Sequence, residues 1–173
     1  MRVFDCFTFF NELDLLEFRL KFLNDHVDFF VIAESNLTFN GKSKPWYYNG
    51  AKERFREWEH KIIYIPVQQN THGPLPENDI SYNDGDLVLV SDLDEIPDPA
   101  IFKKINPSKL PVAFSLLFHY YYMNCQNIGE SRWWNGCIAA TAGQFKVLTP
   151  QGLRNNRDVY PSIGTAGWHF SFL

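Results

Sequence analysis

Apolar positions recur at two spacings along the first hundred residues, and the alternation between them predicts the order of elements. RVFDCFTFF over 2–10 is aromatic and β-branched and reads as a strand. In NELDLLEFRLKFLNDH, 11–26, Leu13, Leu16, Leu20 and Leu23 recur three and four residues apart, the period of a helix with one buried face. Asn11 is placed to cap its first turn, and Glu12 and Asp14 suit its positive end. VDFFVIAESN (27–36) predicts a second strand, and the Asn-Gly and Lys-Pro pairs of 38–49 predict a loop. AKERFREWEHK (51–61) reads as a helix and IIYIPVQ (62–68) as a third strand. The polar stretch 69–85, broken by proline and glycine, predicts a loop. DLVLVSDLDEI (86–96) predicts a fourth strand, a helix is expected to start around Pro97, Asp98 and Pro99, and Thr149-Pro150 marks another helix start.

This β-α-β-α-β order implies an α/β, Rossmann-like architecture: a mostly parallel sheet with helices on both faces, in which the aliphatic run Leu87–Val90 is a strand covered on both sides. A length of 173 residues with 45% hydrophobic and 21% charged positions fits a single domain over 1–173. A net charge of −4 offers no footprint for a polyanion, so no nucleic-acid partner is expected. The aromatic share of 17% fills a core or supplies stacking platforms for sugars or bases. Cys6, Cys125 and Cys137 are odd in number and lack a CxxC spacing, which favours buried reduced thiols and a cytoplasmic location. No signal peptide is evident, and no run approaches the roughly 20 apolar residues of a membrane span, so no transmembrane segment is expected.

Candidate chemistry concentrates in LVLVSDLDEIPDP, 87–99, where a buried strand runs directly into Asp92, Asp94, Glu95 and Asp98. In open α/β sheets ligands bind beyond the carboxyl ends of the strands. Extended geometry sends Asp92 and Asp94 to the same side, where two carboxylates repel unless a cation lies between them; oxygen ligands suit Mg2+ or Mn2+. The competing reading has these acids cap the following helix. Asp84-Gly85-Asp86 repeats the DxD spacing, but it precedes the strand and contains glycine, so a turn is expected there. A phosphoryl-transfer enzyme with an aspartate nucleophile also ends a strand with DxD, but on the first strand of its fold.

SDLDEIPDP followed by AIFKKI, the early stretch FNELDLLEFRLKFLNDHVDFFVIAESNLTFNGKSKP and the late AGWHFSF together resemble, in order and over most of the chain, glycosyltransferase family 17, the β-1,4-N-acetylglucosaminyltransferase family. The resemblance implies a GT-A-like nucleotide-sugar-binding fold, a divalent metal (Mn2+ or Mg2+), and inverting transfer of N-acetylglucosamine from a UDP-sugar to a glycan acceptor. It puts Asp92 and Asp94 on the metal motif, with Asp94 the first ligand and Asp92 also near the ribose, and matches His169 to a late histidine that completes the metal site; a core histidine beneath Trp168 is the alternative. Glu34 and Asn36, ending the second strand, fall where a nucleoside contact is expected. Lys42, Lys44, Arg154 and Arg157 are candidates for the phosphates. A general base is required; Asp158 is favoured over Glu130. Trp133 and Trp134 are candidates for stacking on the acceptor, with one ring inward and the other outward. The short stretch after 68 lacks an arginine-bearing helix that the family pattern leads one to expect, and the sequence stops soon after GWHF. A C-terminally truncated domain is therefore expected, as a minimal enzyme, as a fragment completed by another chain or an oligomer, or as a homologue that binds carbohydrate or nucleotide sugar without turnover.

Overall fold

The computed structural model describes residues 1–38, 40–68 and 81–171; most of the loop expected over 69–85, and position 39 of the loop over 38–49, lie outside the described residues. The first half keeps the predicted strand order, with β1 (Val3–Phe9), α1 (Leu13–Leu23), β2 (Phe29–Ser35), β3 (Ile62–Val67) and β4 (Leu87–Asp92), and adds a short helix α2 (Tyr47–Gly50) at the end of the stretch expected as a loop over 38–49. Helix α1 buries Leu16, Leu20 and Leu23, as its periodicity requires, and Leu15 and Arg19 with them, while Leu13 is half-buried. It begins later than expected. Glu12, not Asn11, holds the N-cap position, and its carboxylate turns back to accept from the N–H groups of Phe10 (3.3 Å) and Asn11 (3.0 Å). The segment read as a helix over 51–61 is a 3-10 run, Lys52–Lys61, whose buried Phe55 and Trp58 stand three residues apart, the repeat of that tighter helix.

The predicted strand over 86–96 is broken by a turn at Leu93–Asp94, so that β4 ends at Asp92 and β5 (Glu95–Pro97) follows. Asp98 then caps a 3-10 run, Pro99–Lys104, by accepting from Ala100 N at 2.9 Å. Beyond it come β6 (Val112–Tyr120), β7 (Trp133–Thr141), α3 (Ala142–Leu148), α4 (Pro150–Asn155), β8 (Ser162–Ile163) and β9 (Gly167–Ser171). Thr149 caps α4, its hydroxyl accepting from Gly152 N at 3.2 Å.

Among the described residues nine strands form one sheet in the order β3-β2-β1-β4-β7-β6-β9-β5, with β8 beside β6. The first four are parallel. The sheet is mixed: β8 and β9 also run parallel to β6, but β7 runs antiparallel to both β4 and β6, and β5 pairs antiparallel with β9. Two residues separate β4 from β5, yet they stand four strands apart in the order, so the sheet curls back on itself. Leu87 and Leu89 join one buried cluster with Phe114 and Leu116, while Val88 and Val90 join another with Ile138 and Leu153. That alternation covers the aliphatic run on both sides. Among the described residues the three cysteines are unpaired; Cys137 is buried, as expected of a core thiol, whereas Cys125 is exposed. No described helix is long and apolar enough to cross a membrane.

The second DxD copy lies at the opposite end of β4 from the first. Asp84 and Gly85 form a turn, and buried Asp86 accepts from the backbone N–H groups of Asn83 and Arg2, each at 2.9 Å, and from the Arg2 guanidinium at 3.1 Å. The two backbone N–H groups, then Arg2, hold the Asp86 carboxyl below its ordinary range. A depressed folded-state value contributes stability above the unfolded value and loses it as the pH falls through the folded one. Asp86→Asn is thus expected to lower the melting temperature at about pH 7, the gap from the unmodified protein closing as the medium is acidified below the ordinary aspartate value. A constant gap across that range in parallel thermal melts refutes this role.

Candidate active site

One edge of the sheet gathers the chemistry. The carboxyl ends of β1 and β4 meet there, with Thr8 opposite Asp92; the end of β6 lies beside β9, with Phe118 opposite His169; and the start of β7 brings Trp133 opposite Leu117. Arg154, from α4, clasps Asp92 with two bonds of 2.6 Å, one to each carboxylate oxygen, and the Thr8 hydroxyl donates to Asp92 at 3.1 Å. Burial alone pushes the Asp92 carboxyl up, but the hydrogen bonds and charge of Arg154 outweigh it and hold the group below its ordinary value. Asp94, in the turn, faces His169, with Oδ2 3.3 Å from Nε2. Extended geometry put both aspartates on one side; the turn instead gives each its own partner.

Glu95 lies beneath the turn, almost fully buried. Its Oε2 accepts from Asp92 N at 2.9 Å and its Oε1 from the Trp134 indole N–H at 2.6 Å. Burial, and next the charge of Asp92, push its carboxyl above the ordinary value, while these two donors oppose the shift. Gly136 makes the space: a Cβ there would come within 2.7 Å of Leu116 Cδ1 and 2.9 Å of the Glu95 carboxyl carbon. His169 stacks on Phe118, ring centroids 4.7 Å apart, and tilts against Trp134 at 4.9 Å. Its Nδ1 is buried and has no hydrogen-bond partner among the described residues.

A residue not singled out in the sequence supports this turn from below. Arg19 of α1, fully buried, donates to both oxygens of Asp5 (2.8 and 2.7 Å), to Ser91 Oγ (2.7 Å) and to the carbonyls of Asp92, Leu93 and Glu95 (2.9, 2.9 and 3.1 Å). Its signal in the sequence is an arginine on the face of α1 that also carries Leu16, Leu20 and Leu23, together with an acid, Asp5, inside an aromatic strand.

The other expected residues divide between this edge and its surroundings. Trp134 turns inward and Trp133 is 39% exposed, with the Arg132 guanidinium 5.8 Å from its ring centroid, so the pair splits inward and outward as its spacing predicts. Asp158 accepts from Asn135 at 3.1 Å, and Arg157 lies over the Trp134 ring at 4.3 Å. Arg154, Arg157 and Asp158 line a polar cavity of ≈ 350 Å³ with Gln151 and Asn155. Glu130 is exposed, in a turn before β7. Glu34 shares none of these hydrogen bonds and is fully buried on the face of β2 that also buries Phe30 and Ile32. It accepts from Lys44 Nζ and Tyr47 N (2.8 Å each), Tyr48 N (3.2 Å) and the Tyr64 hydroxyl (2.9 Å), an arrangement that ties the loop after β2 to the sheet. Lys44 is committed to that pair, with only 4% of its side chain exposed. Asn36 is half-buried, and its Oδ1 has no partner among the described residues.

Among the described residues no three histidine, cysteine, aspartate or glutamate side chains converge as a complete metal cage. Asp94 and His169 nonetheless form a carboxylate–imidazole pair, 30% and 9% exposed at the side chain; the carboxylate suits Mn2+ or Mg2+, whereas an imidazole nitrogen is a poor ligand for Mg2+, so of the two the pair fits Mn2+ when oxygens of a bound ligand complete the shell.

The family model described as Glycosyltransferase family 17 matches residues 1–173. The chain is similar to the β-1,4-mannosyl-glycoprotein 4-β-N-acetylglucosaminyltransferases of Rattus norvegicus and Homo sapiens, at 30% identity over 129 residues. That match covers 60% of this chain and 23% and 24% of those proteins, so the chain spans about a quarter of their length. Among solved structures it is similar to the glycosyltransferase GlyE of Streptococcus pneumoniae TIGR4, with a TM-score of 0.41 and 14% identity over 87% of this chain and 37% of that one, a likeness too distant to bear on the assignment. With the family model matched from the first residue to the last, the chain belongs to glycosyltransferase family 17.

Proposed function

We propose that this chain acts in metal-dependent, inverting transfer of N-acetylglucosamine from a UDP-sugar to a glycan acceptor, on a GT-A-like scaffold. The observation that carries this reading is the Asp94–His169 pair standing beside the Asp92–Arg154 pair at the strand ends of a family 17 chain. Asp94 and His169 would hold the cation, which when bound supplies Lewis-acid neutralisation of the charge that develops on a departing diphosphate. Asp92 is the candidate contact for the ribose of the donor. Arg154 and Arg157, facing one cavity, supply positive charge for the phosphates. Asp158, oriented by Asn135, is the favoured base for the acceptor hydroxyl, and Trp133 offers its exposed ring to the acceptor.

Calorimetry of UDP-N-acetylglucosamine binding, with and without Mn2+, tests the reading: binding that requires the cation supports it, and folded protein that binds no nucleotide sugar in either condition overturns it. His169→Asn is the companion variant. As a ligand, His169 is expected to show its loss as weaker Mn2+ binding by the folded protein. As a core ring packed on Phe118 and Trp134, it would show its loss as a lower melting temperature with Mn2+ affinity unchanged, and that second pattern removes His169 from the site.

A further inference from the structure

The Asp92–Glu95 turn is short, yet all four of its carbonyls and the Asp92 N–H are held by hydrogen bonds. The carbonyls of Asp92, Leu93 and Glu95 converge on Arg19 Nη1; the Asp94 carbonyl accepts from Phe170 N at 2.9 Å; the Asp92 N–H donates to Glu95. A guanidinium has five N–H donors in one plane. Here Nε and Nη2 grip Asp5, Nη2 also reaches Ser91, and the two N–H groups of Nη1 are shared among the three turn carbonyls, with the Phe7 ring 4.4 Å from the guanidinium carbon. Arg19 and Asp5 are both fully buried, so neither charge exchanges its partner for water. Arg19 therefore ties α1, β1 and the end of β4 to one point beneath the turn.

We infer that Arg19 is the positioning residue of the candidate cation site: by capturing the inward carbonyls of Asp92, Leu93 and Glu95, on either side of Asp94, it fixes the path of the turn and so the direction in which Asp94 meets His169. The inference rests on the proposed reading of Asp94 and His169 as the cation-binding pair. Lysine cannot replace Arg19 in this role. One ammonium with three donors keeps the charge beside Asp5 but cannot span Asp5, Ser91 and three carbonyls at once.

The test compares Arg19→Lys with Leu23→Ala, which removes a fully buried side chain from the same helix but none of the hydrogen bonds that hold the turn. Both are expected to lower the melting temperature. Only Arg19→Lys is expected to weaken Mn2+ binding by the folded protein, by roughly 10–100-fold, the usual cost of disturbing groups that orient a metal ligand, and to speed amide hydrogen exchange at Phe170, the donor to the Asp94 carbonyl. Wild-type Mn2+ affinity and Phe170 protection equal to that of Leu23→Ala overturn the inference. If the unmodified protein binds no Mn2+, the metal reading fails by itself, and the exchange at Phe170 still decides whether Arg19 sets the turn. Should Arg19→Lys not fold, Ser91→Ala, which removes one bond of the same guanidinium, is read by the same two measurements, and its matching Leu23→Ala in both is equally decisive against the role.

Discussion

Asp94→Ala is expected to abolish Mn2+-supported binding of UDP-N-acetylglucosamine and to leave the fold intact. The two halves of that expectation have separate causes. The side chain of Asp94 meets His169 Nε2 and is 30% exposed, so little packing is lost with it. The turn around it is held through its backbone, by Arg19 and by Phe170 N, neither of which depends on the carboxylate. Binding is different, because Asp94 supplies the carboxylate that meets His169 Nε2. Its removal leaves a lone imidazole with Asp92 already closed on Arg154. Affinity in the presence of Mn2+ is expected to fall by roughly 100-fold or more, since losing a ligand exceeds the 10–100-fold cost of disturbing the groups that merely orient one. Melting temperature and calorimetry on the same variant separate fold from site. Nucleotide-sugar affinity that is unchanged in Asp94→Ala, or unchanged when a chelator is added to the unmodified protein, removes the cation from the proposal.

What the sequence discloses about this site follows from how locally each feature is determined. The leucine spacing of α1 and the four aliphatic residues before Asp92 are local patterns, and both elements stand where those patterns put them. The pairing of β4 with β7, and of β6 with β9, joins Val88 to Ala140 and Leu117 to Trp168, and no local period encodes such partners. The half of the sheet they build was accordingly not legible. Nor was the break in the strand at Leu93–Asp94. An extended path through Glu95 is the local expectation, and what bends it is a guanidinium more than seventy positions earlier in the chain, anchored on Asp5.

Glu34 illustrates a signal that was present but outweighed. Its place at the end of β2 argues for a ligand contact, yet alternation with Phe30 and Ile32 assigns it to the buried face, and there it meets Lys44 and Tyr64. For Trp133 and Trp134 the same period-two arithmetic gives the observed division, one ring exposed and the other against His169. Periodicity sorts faces reliably where a strand is regular; it does not say which distant side chain waits on each face.

The dependence of the site on this long-range pairing makes Gly167→Ala the second substitution with a large expected effect. Gly167 opens β9 opposite Pro97 of β5, with φ at 145°, a backbone region that L-residues rarely enter. A Cβ there would fall on the Ile96 carbonyl oxygen, 2.8 Å from Pro97 Cα and 2.9 Å from Asp98 N. These are backbone atoms of a paired strand, with no rotamer to adjust. Strain from the backbone region alone is worth about 1–3 kcal/mol, and the displacement of β9 from β5 adds to it, so a loss of about 3 kcal/mol or more is expected. His169 lies two residues further along β9 and is paired with Glu95, so the same displacement draws the imidazole away from Asp94. The variant is therefore expected to lose both melting temperature and the Mn2+ affinity of whatever fraction remains folded. Gly164→Ala is the control, since a Cβ at Gly164 meets nothing within 4 Å; it is expected to stay within about 0.5 kcal/mol of the unmodified protein. Equal melting temperatures for the two variants would mean that β9 moves away from Ile96 at little cost, and that the β5–β9 pairing does not fix the distance between His169 and Asp94.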